Sequence, residues 1–457
     1  MTLVLAHGIG GIRDLPVPLW LFYYGGSLVL LLSFLALWAL WTKPRLEELE
    51  RGEPLPSTLE RIALARAVRI VLGAVGFGLL VLVAAAALVG EPSPTTNLAP
   101  TFVYVVFWLG MVVLVVLLGN VWAPLNPWRA GADAVAWLSA RAGFAWEPPL
   151  RYPRRLGRWP ATVLFLAFAA LELAYTEPAN PRALALAIYL YSAITWFGML
   201  AFGRAAWLAN GEAFSVYFSF LSRLAPLALR REDGRRRIVA RVPLLGVTIP
   251  DPRPGTVAFV AAMLGSVGFD GFSRTAWWQD RRYDLTAGLV DSPHLSDLAT
   301  FAFNLAGLVA VVLFVALAFL TAVKAAQRLS RSEQALAGQF AASLVPIALA
   351  YVVAHYFSLL VLQGQQVVPL ASDPFGYGWN LFGTASFRPD LGLLPPNFVW
   401  YVQVGALVVG HVVGLVLAHD RAVALFRSPR LAVATQYPML MLMVLYTVGG
   451  MWLLSQG

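Results

Sequence analysis

One apolar segment, residues 399–420 (VWYVQVGALVVGHVVGLVLAHD), constrains the fold of this chain more than any other stretch. A helix of this length rises by ~30 Å, which is enough to cross the hydrocarbon core of a bilayer. His411 lies near its middle, and Gly410 and Gly414 form a Gly-x-x-x-Gly pair that allows a second helix to approach closely. An ionisable side chain is costly at that depth, so we expect His411 to be either tightly paired or functional.

The composition extends this argument to the whole chain. Of its 457 residues, 59% are hydrophobic and only 12% are charged. A water-soluble fold of this size could not cover its surface with so few charges. The sequence therefore predicts an all-α, polytopic membrane protein that forms a single integral membrane domain over residues 1–457. The chain has no cysteine, which excludes disulfides and thiolate metal ligands.

The apolar segments predict ten transmembrane helices. They are expected at residues 20–41, 70–89, 102–119, 159–175, 183–208, 256–272, 298–322, 339–362, 399–419 and 431–454. Residues 212–229 are aromatic and amphipathic, and a basic run follows them up to residue 237. We predict that residues 212–229 form an interfacial helix on the cytoplasmic side and that the basic run forms a loop.

Loops rich in arginine alternate with loops that have almost none, and this alternation predicts the orientation. Arginine-rich loops stay in the cytoplasm, which places both termini outside and makes residues 363–398 an external loop. The formal charge of +9 falls mainly in the short inner loops. It therefore indicates loops at the cytoplasmic surface of the membrane, with the lipid bilayer as partner, and not nucleic-acid binding. An oligomer or a larger membrane complex is compatible with this arrangement.

Three ionisable residues are predicted to share one depth below the external surface. Counting ~1.5 Å per residue from the inner helix ends places Glu172, Asp270 and His355 in the outer part of three different spans. Asp270 lies in a glycine-broken stretch, GSVGFDGF, and Gln363, Gln365 and Asp373 follow His355 closely. Histidine, carboxylate and amide groups suit a divalent metal such as zinc or copper, or a small polar substrate. A polar network that only holds the helices together is the alternative.

Two further histidines are candidates for metal binding. His411 is predicted near the bilayer midplane, about 10 Å deeper than His355, which disfavours one haem clamped between the two. His7 follows a short apolar stretch that resembles the end of a signal peptide. Cleavage there would give an N-terminal histidine that suits copper, whereas an uncleaved tail would have no such role. Walker, nucleophile-elbow and His-Glu-x-x-His motifs are all absent from the sequence.

Four stretches together resemble a family of bacterial polytopic membrane proteins labelled fenitrothion hydrolase or fenitrothion hydrolase-like. They are AHGIGGIRDLPVPLWLF, GSVGFDGFS, AHYFSLLVLQGQ and VWYVQVGALVVGHVVGLVLAHDRA, and the likeness covers nearly the whole chain. The resemblance implies hydrolysis of a phosphorothioate triester, an apolar small molecule that could enter from the membrane. It carries no established catalytic residue over to this sequence.

The residues themselves are compatible with several classes of function. For hydrolysis, a metal at His355 and Asp270 would polarise the phosphoryl group and activate water, and Glu172 would serve as the base. For a transporter or a metal-handling membrane protein, the same residues would form the binding site. A structural subunit of a membrane complex would use them only for packing. The sequence slightly favours the transporter as the native role.

Overall fold

The structure is a computed structural model, and it describes residues 18–49, 52–144, 146–232, 234–248, 251–289, 291–331, 336–426 and 428–455. These residues fold into a helical bundle with one small sheet, so the predicted all-α class is confirmed. The longer helices are α1 (Leu19–Leu40), α2 (Arg66–Val89), α3 (Leu98–Leu118), α4 (Trp159–Leu173), α5 (Pro181–Phe202), α6 (Ala213–Leu221), α7 (Thr256–Phe272), α8 (Ala276–Thr286), α9 (Pro293–Ser330), α10 (Ala337–Ser372), α11 (Pro396–Leu425) and α12 (Tyr437–Leu454). Short helices connect them at Leu46–Leu49, Ser57–Ala63, Trp122–Leu125, Arg204–Asn210 and Pro429–Ala434, and a further helix of 15 residues covers Pro127–Arg141.

Within the described residues, eight helices are long and apolar enough to cross a membrane, or nine if the bent pair α7 and α8 is one span. Many large apolar side chains on these helices are exposed, for example Leu186, Phe197 and Met441, as expected for surfaces that face lipid. The structure is thus typical of a multi-pass membrane protein.

Ten predicted spans exceed this count for a physical reason. The predicted span at residues 159–175 is the helix α4, which has 15 residues and rises only ~22 Å. The predicted span at residues 256–272 coincides with α7, but the chain then bends by 77° into α8. Length and composition alone therefore identify neither of them as a full membrane crossing.

The segment predicted as an interfacial helix at residues 212–229 differs from that expectation. The helix α6 ends at Leu221, and its side chains Phe214, Tyr217 and Phe218 are buried. Aromatic rings surround α6 inside the bundle, and Tyr217 stacks on Trp108 with ring centroids 4.9 Å apart. Because α6 is apolar on nearly all sides, burial stabilises it more than one-sided contact with an interface would.

The basic run that follows α6 is a hairpin and not the predicted loop. Strands β2 (Leu227–Glu232) and β3 (Arg235–Ala240) pair antiparallel with Leu229 opposite Ile238, and β1 (Glu53–Pro54) adds to the other edge of β3. Val239 is the buried residue of β3, whereas Leu229 and the arginines of β3 are exposed.

The helices α4 and α7 begin at the same place and run side by side. The backbone N–H of Arg158 donates to the carbonyl of Pro254 (2.7 Å), which ties together the two segments that precede these helices. Gly255 has φ +80°, and a β-carbon there would lie 2.7 Å from the backbone nitrogen of Trp159. Only glycine allows this approach. Glu172 and Asp270 therefore lie near the opposite, C-terminal ends of two neighbouring helices.

Candidate functional site

Asp270 lies one turn before the bend between α7 and α8, and its side chain is buried. Close packing around α7 fixes its position, because a β-carbon on Gly265 would lie 2.7 Å from the Cα of Val312 in α9. The bend itself is held by Thr275, whose hydroxyl accepts a hydrogen bond from the Trp278 N–H, and by Gln279, which donates to the Ser273 carbonyl (2.6 Å). The bend thus leaves a carboxylate inside the bundle at a defined place.

In the described part of the chain, side chains from α10 and from the bend contact the carboxylate of Asp270. His355 Nε2 lies 2.7 Å from Oδ2, the Tyr356 hydroxyl donates to the same oxygen (2.8 Å), and Arg274 donates to Oδ1 (3.1 Å). His355 and Tyr356 come from α10, whereas Arg274 is four residues after Asp270 in the bend. The predicted convergence of Asp270 and His355 is therefore present in the structure.

The contact between His355 and Asp270 is close but is not a well-aligned hydrogen bond. Nε2 of His355 is buried and has no partner in hydrogen-bond geometry within the described residues, although Oδ2 is 2.7 Å away. A small cavity with room for about one water molecule borders His355 between α7, α10, α11 and α12.

Glu172 is the second buried carboxyl group of this region. Its exposed fraction is 5%, and its electrostatic neighbours include Asp270 and the tyrosines Tyr104, Tyr217 and Tyr356. In the described part of the chain, no hydrogen bond or ion pair satisfies its carboxyl group. Burying a carboxyl group is costly, so Glu172 stays a candidate for a functional residue of this region.

The predicted metal centre does not assemble in the described residues. No group of three or more His, Asp or Glu side chains that could hold a metal ion occurs among them. His411 is fully buried on α11, where Nδ1 lies 2.7 Å from the Leu407 carbonyl and the ring packs near Tyr351. His7 lies outside the described residues. Asp270 and His355 alone fall short of the three protein ligands typical of catalytic zinc.

The glycines around His411 have the role that the sequence predicts. A β-carbon on Gly410 would lie 2.3 Å from the Ala350 β-carbon, and one on Gly414 would lie 2.9 Å from the Ser343 carbonyl oxygen. Both contacts are with α10. The Gly-x-x-x-Gly pair is thus confirmed as the surface on which α11 receives the helix that carries His355.

Sequence reasoning missed two members of the site and included two residues that belong elsewhere. Tyr356 and Arg274 contact Asp270, and the spacing of four between Asp270 and Arg274 was a usable signal. Gln365 instead bonds to Asp390 in both directions, and Asp373 accepts the N–H groups of Tyr377 and Gly378. Both stabilise the loop that follows α10.

Comparison of the chain with protein-family models, with curated proteins and with solved structures finds no match. The site geometry therefore has to support any functional proposal by itself.

Proposed function

We propose that this protein is a multi-pass carrier of the bacterial inner membrane that moves a small solute or a metal ion together with protons. The observation that carries the proposal is the pair of Asp270 and His355, held 2.7 Å apart inside an apolar helix bundle. Ionisable residues inside membrane spans are costly and usually mark ion or proton pathways.

The charges around the pair support a protonation-linked role. Asp270 and Glu172 bring two carboxyl groups into one buried region, while Arg274 brings one fixed positive charge. Whether His355 or Glu172 holds a proton therefore decides the net charge of the region. A cation that enters beside Asp270 competes with that proton, which is the elementary requirement for exchange or coupled movement.

The shape of α7 supports the same class of function. Its 77° bend into α8 places an irregular backbone next to the buried Asp270. Broken helices at membrane depth are tolerated where they line a site inside the protein, and carriers use them for ion and substrate binding. The orientation that fits the arginine-rich loops puts Asp270 and His355 towards the external side.

Proton flux in proteoliposomes tests the proposal. An inward gradient of zinc, of copper or of a neutral phosphorothioate triester is imposed, and a trapped pH-sensitive dye reports proton movement. We expect one of these solutes to drive proton flux, and we expect Asp270→Asn and His355→Gln to lower the rate at least ~10-fold.

Matched controls are available on exposed surfaces of the same part of the chain. Asp284 on α8 and His294 at the start of α9 are exposed, so Asp284→Asn and His294→Gln change the same groups without touching the buried pair. If proton flux falls equally in all four variants, the carrier proposal is rejected. It is also rejected if none of the solutes drives proton flux.

Hydrolysis of a phosphorothioate triester is the second candidate. The cavity beside His355 can hold about one water molecule, and a histidine next to a carboxylate can act as a general base. His355 would take a proton from the water while its oxygen attacks phosphorus. The P–O bond to the aryl group then breaks, and the aryl oxide takes up a proton to leave as a phenol.

Release of the phenol, measured on the same samples, separates the two candidates. Turnover that persists with a metal chelator and disappears in His355→Gln, without solute-driven proton flux, would favour the hydrolase. Flux without turnover would favour the carrier.

A further inference from the structure

The segment between α3 and α4 leaves several large apolar side chains exposed next to arginines. The helix Pro127–Arg141 starts buried in the bundle, and its second half is largely exposed. Trp137 and Leu138 on this half are 48% and 58% exposed, and Phe144 and Trp146 in the chain that follows are 73% and 64% exposed. We call the exposed side chains of residues 134–144 and 146–155 the basic–aromatic surface.

Contacts with α5 place this surface at the end of a helix long enough to span the membrane. The indole N–H of Trp146 donates to the carbonyl of Leu200 (3.2 Å), and the Leu150 N–H donates to the carbonyl of Ala201 (3.0 Å). Both carbonyls belong to the last turn of α5, where the Leu200 side chain is exposed, as is Phe197 one turn earlier. The basic–aromatic surface therefore adjoins the lipid-facing surface of α5 at the level where this helix ends.

The arginines of this surface have no counter-charge in the part of the chain that the structure describes. Residues 134–155 contain four arginines and one acid, Glu147, which leaves a net charge of +3. The four arginines are exposed and form neither an ion pair nor a side-chain hydrogen bond there; they are Arg141, Arg151, Arg154 and Arg155. Arg129 and Arg204, by contrast, both pair with Asp133. An exposed group of unneutralised arginines favours an anionic partner.

Aromatic rings and arginines occur side by side on this surface. The guanidinium carbon of Arg141 lies 4.2 Å from the ring centroid of Trp137. Arg154 and Arg155 lie in the turn that leads into α4, whose first residue, Trp159, is 50% exposed. Tryptophan is enriched at membrane–water interfaces, and arginine covers apolar surface with its stem while its charged end reaches the headgroups. This combination is typical of segments that lie on a membrane.

A lipid surface fits these features better than a single soluble anion. The four arginines are spread along 15 residues, from the end of the helix Pro127–Arg141 to the turn before α4. Such a distribution matches many headgroup charges in one plane, whereas a small anion needs several donors that converge on it. The exposed aromatic side chains also gain nothing from a small anion, but they are stabilised when lipid covers them.

We infer that the basic–aromatic surface binds anionic lipid at the membrane surface on the arginine-rich side of the protein. Its apolar side chains lie against the lipid beside the end of α5, and its arginines bind headgroup phosphates. Residues 127–155 thus have the interfacial role that the sequence predicts for residues 212–229. The inference depends on the multi-pass fold and involves neither Asp270 nor His355.

A single label can report the lipid beside this surface, because the native chain has no cysteine. The full chain with Leu138→Cys carries a fluorophore in phosphatidylcholine nanodiscs. A small fraction of either spin-labelled phosphatidylglycerol or spin-labelled phosphatidylcholine is added as quencher. We expect the phosphatidylglycerol probe to quench at least ~3-fold more strongly, because arginines near the membrane enrich anionic lipid. Leu186→Cys, exposed near the other end of α5, is the reference and should be quenched equally by both probes.

Charge variants separate this surface from a general attraction between the protein and anionic lipid. The triple variant Arg151→Gln, Arg154→Gln, Arg155→Gln removes three arginines that hold no partner in the described residues, so the quenching ratio at Leu138→Cys should fall to about 1. The matched control replaces three equally exposed arginines of β3, as Arg235→Gln, Arg236→Gln, Arg237→Gln. It changes the net charge by the same amount and should keep the wild-type ratio.

A preference for phosphatidylglycerol at Leu138→Cys that the first triple variant loses and the second keeps supports the inference. Equal quenching by the two lipids, or a preference that both triple variants lose or both keep, overturns it. The inference also fails if neither lipid quenches the label at this position while Leu186→Cys is quenched. That last result is expected where a soluble partner or water covers the surface instead of lipid.

Discussion

Asp251 and Asp270 are two buried aspartates at opposite ends of the same pair of helices, roughly 20 Å apart by helical rise, and their surroundings differ in kind. Asp251 is held by three guanidinium groups, which stay charged at physiological pH. Asp270 is held by one arginine, one tyrosine and one histidine, with Glu172 nearby. One aspartate therefore lies among arginines only, and the other lies beside an imidazole, a phenol and a second carboxyl group.

The two ends differ in the chemistry of the groups around the aspartate. Guanidinium groups offer geometry and charge but no proton to move. Imidazole and carboxyl groups are the types that proton-coupled carriers and hydrolases use, so the two functions proposed above both depend on the Asp270 end.

The largest expected effect comes from neutralising each aspartate in turn. Asp251→Asn leaves the buried Arg158 beside two other guanidinium groups without a counter-charge, and we expect a loss of about 3–5 kcal/mol in stability. Asp270→Asn keeps an oxygen that accepts from Tyr356, so we expect a loss below about 2 kcal/mol with the fold retained. Folded yield and Tm in detergent measure both. Equal losses in the two variants would contradict the distinction between the ends.

How far the sequence predicts these two ends differs as well. The Asp270 end was predicted from depth, because Asp270 and His355 each stand out as ionisable residues within apolar helices. The Asp251 end was not predicted, since Arg158 and Asp251 are 93 residues apart and lie in polar loops where charges are ordinary. Hydropathy identifies the segments that can lie in a membrane, but it does not show which loop residues contact each other.

The same limit applies to the fold. Apolar runs predicted the long helices well, and the Gly410 and Gly414 pair predicted a close helix contact that the structure contains. Residues 212–229 were predicted as one interfacial helix because the stretch is aromatic and amphipathic and is followed by a basic run. The structure instead buries the aromatic residues in α6 and forms a hairpin of β2 and β3 from the residues that follow. This outcome depends on neighbours far along the chain.

Packing between α10 and α11 should matter for the Asp270 end and not for the Asp251 end. A β-carbon on Gly410 would overlap Ala350, five residues before His355, so Gly410→Leu should cost about 3 kcal/mol and displace the imidazole. Gly405 on the same helix has no neighbour within 4 Å of such a β-carbon, so Gly405→Leu is the control. Tm and proton flux are expected to fall in the first variant only. A folded Gly410→Leu protein with normal flux would show that the helix contact does not position His355.

The smallest expected effect is acid sensitivity at the Asp251 end. Burial alone would raise the pKa of Asp251, but the hydrogen bonds from Arg253 and the charges of Arg158, Arg253 and Arg223 outweigh it and lower the pKa to about 2. An unfolded aspartate titrates near ~3.9, so the unfolded chain takes up this proton first as the pH falls. The stabilisation is therefore complete above about pH 5 and is lost between about pH 4 and pH 2, by about 2 kcal/mol.

Comparing Tm between pH 6 and pH 2.5 isolates this contribution from that of other carboxylates. Arg253→Gln removes the two hydrogen bonds to Asp251, so its pKa should move back towards the ordinary value and the acid-induced loss should shrink. Arg204→Gln leaves Asp251 untouched and should lose as much stability as the wild type. If Arg253→Gln and wild type lose stability in parallel over this range, the guanidinium groups do not hold Asp251 ionised. The carboxylate of Asp251 would then be protonated as readily as an ordinary aspartate.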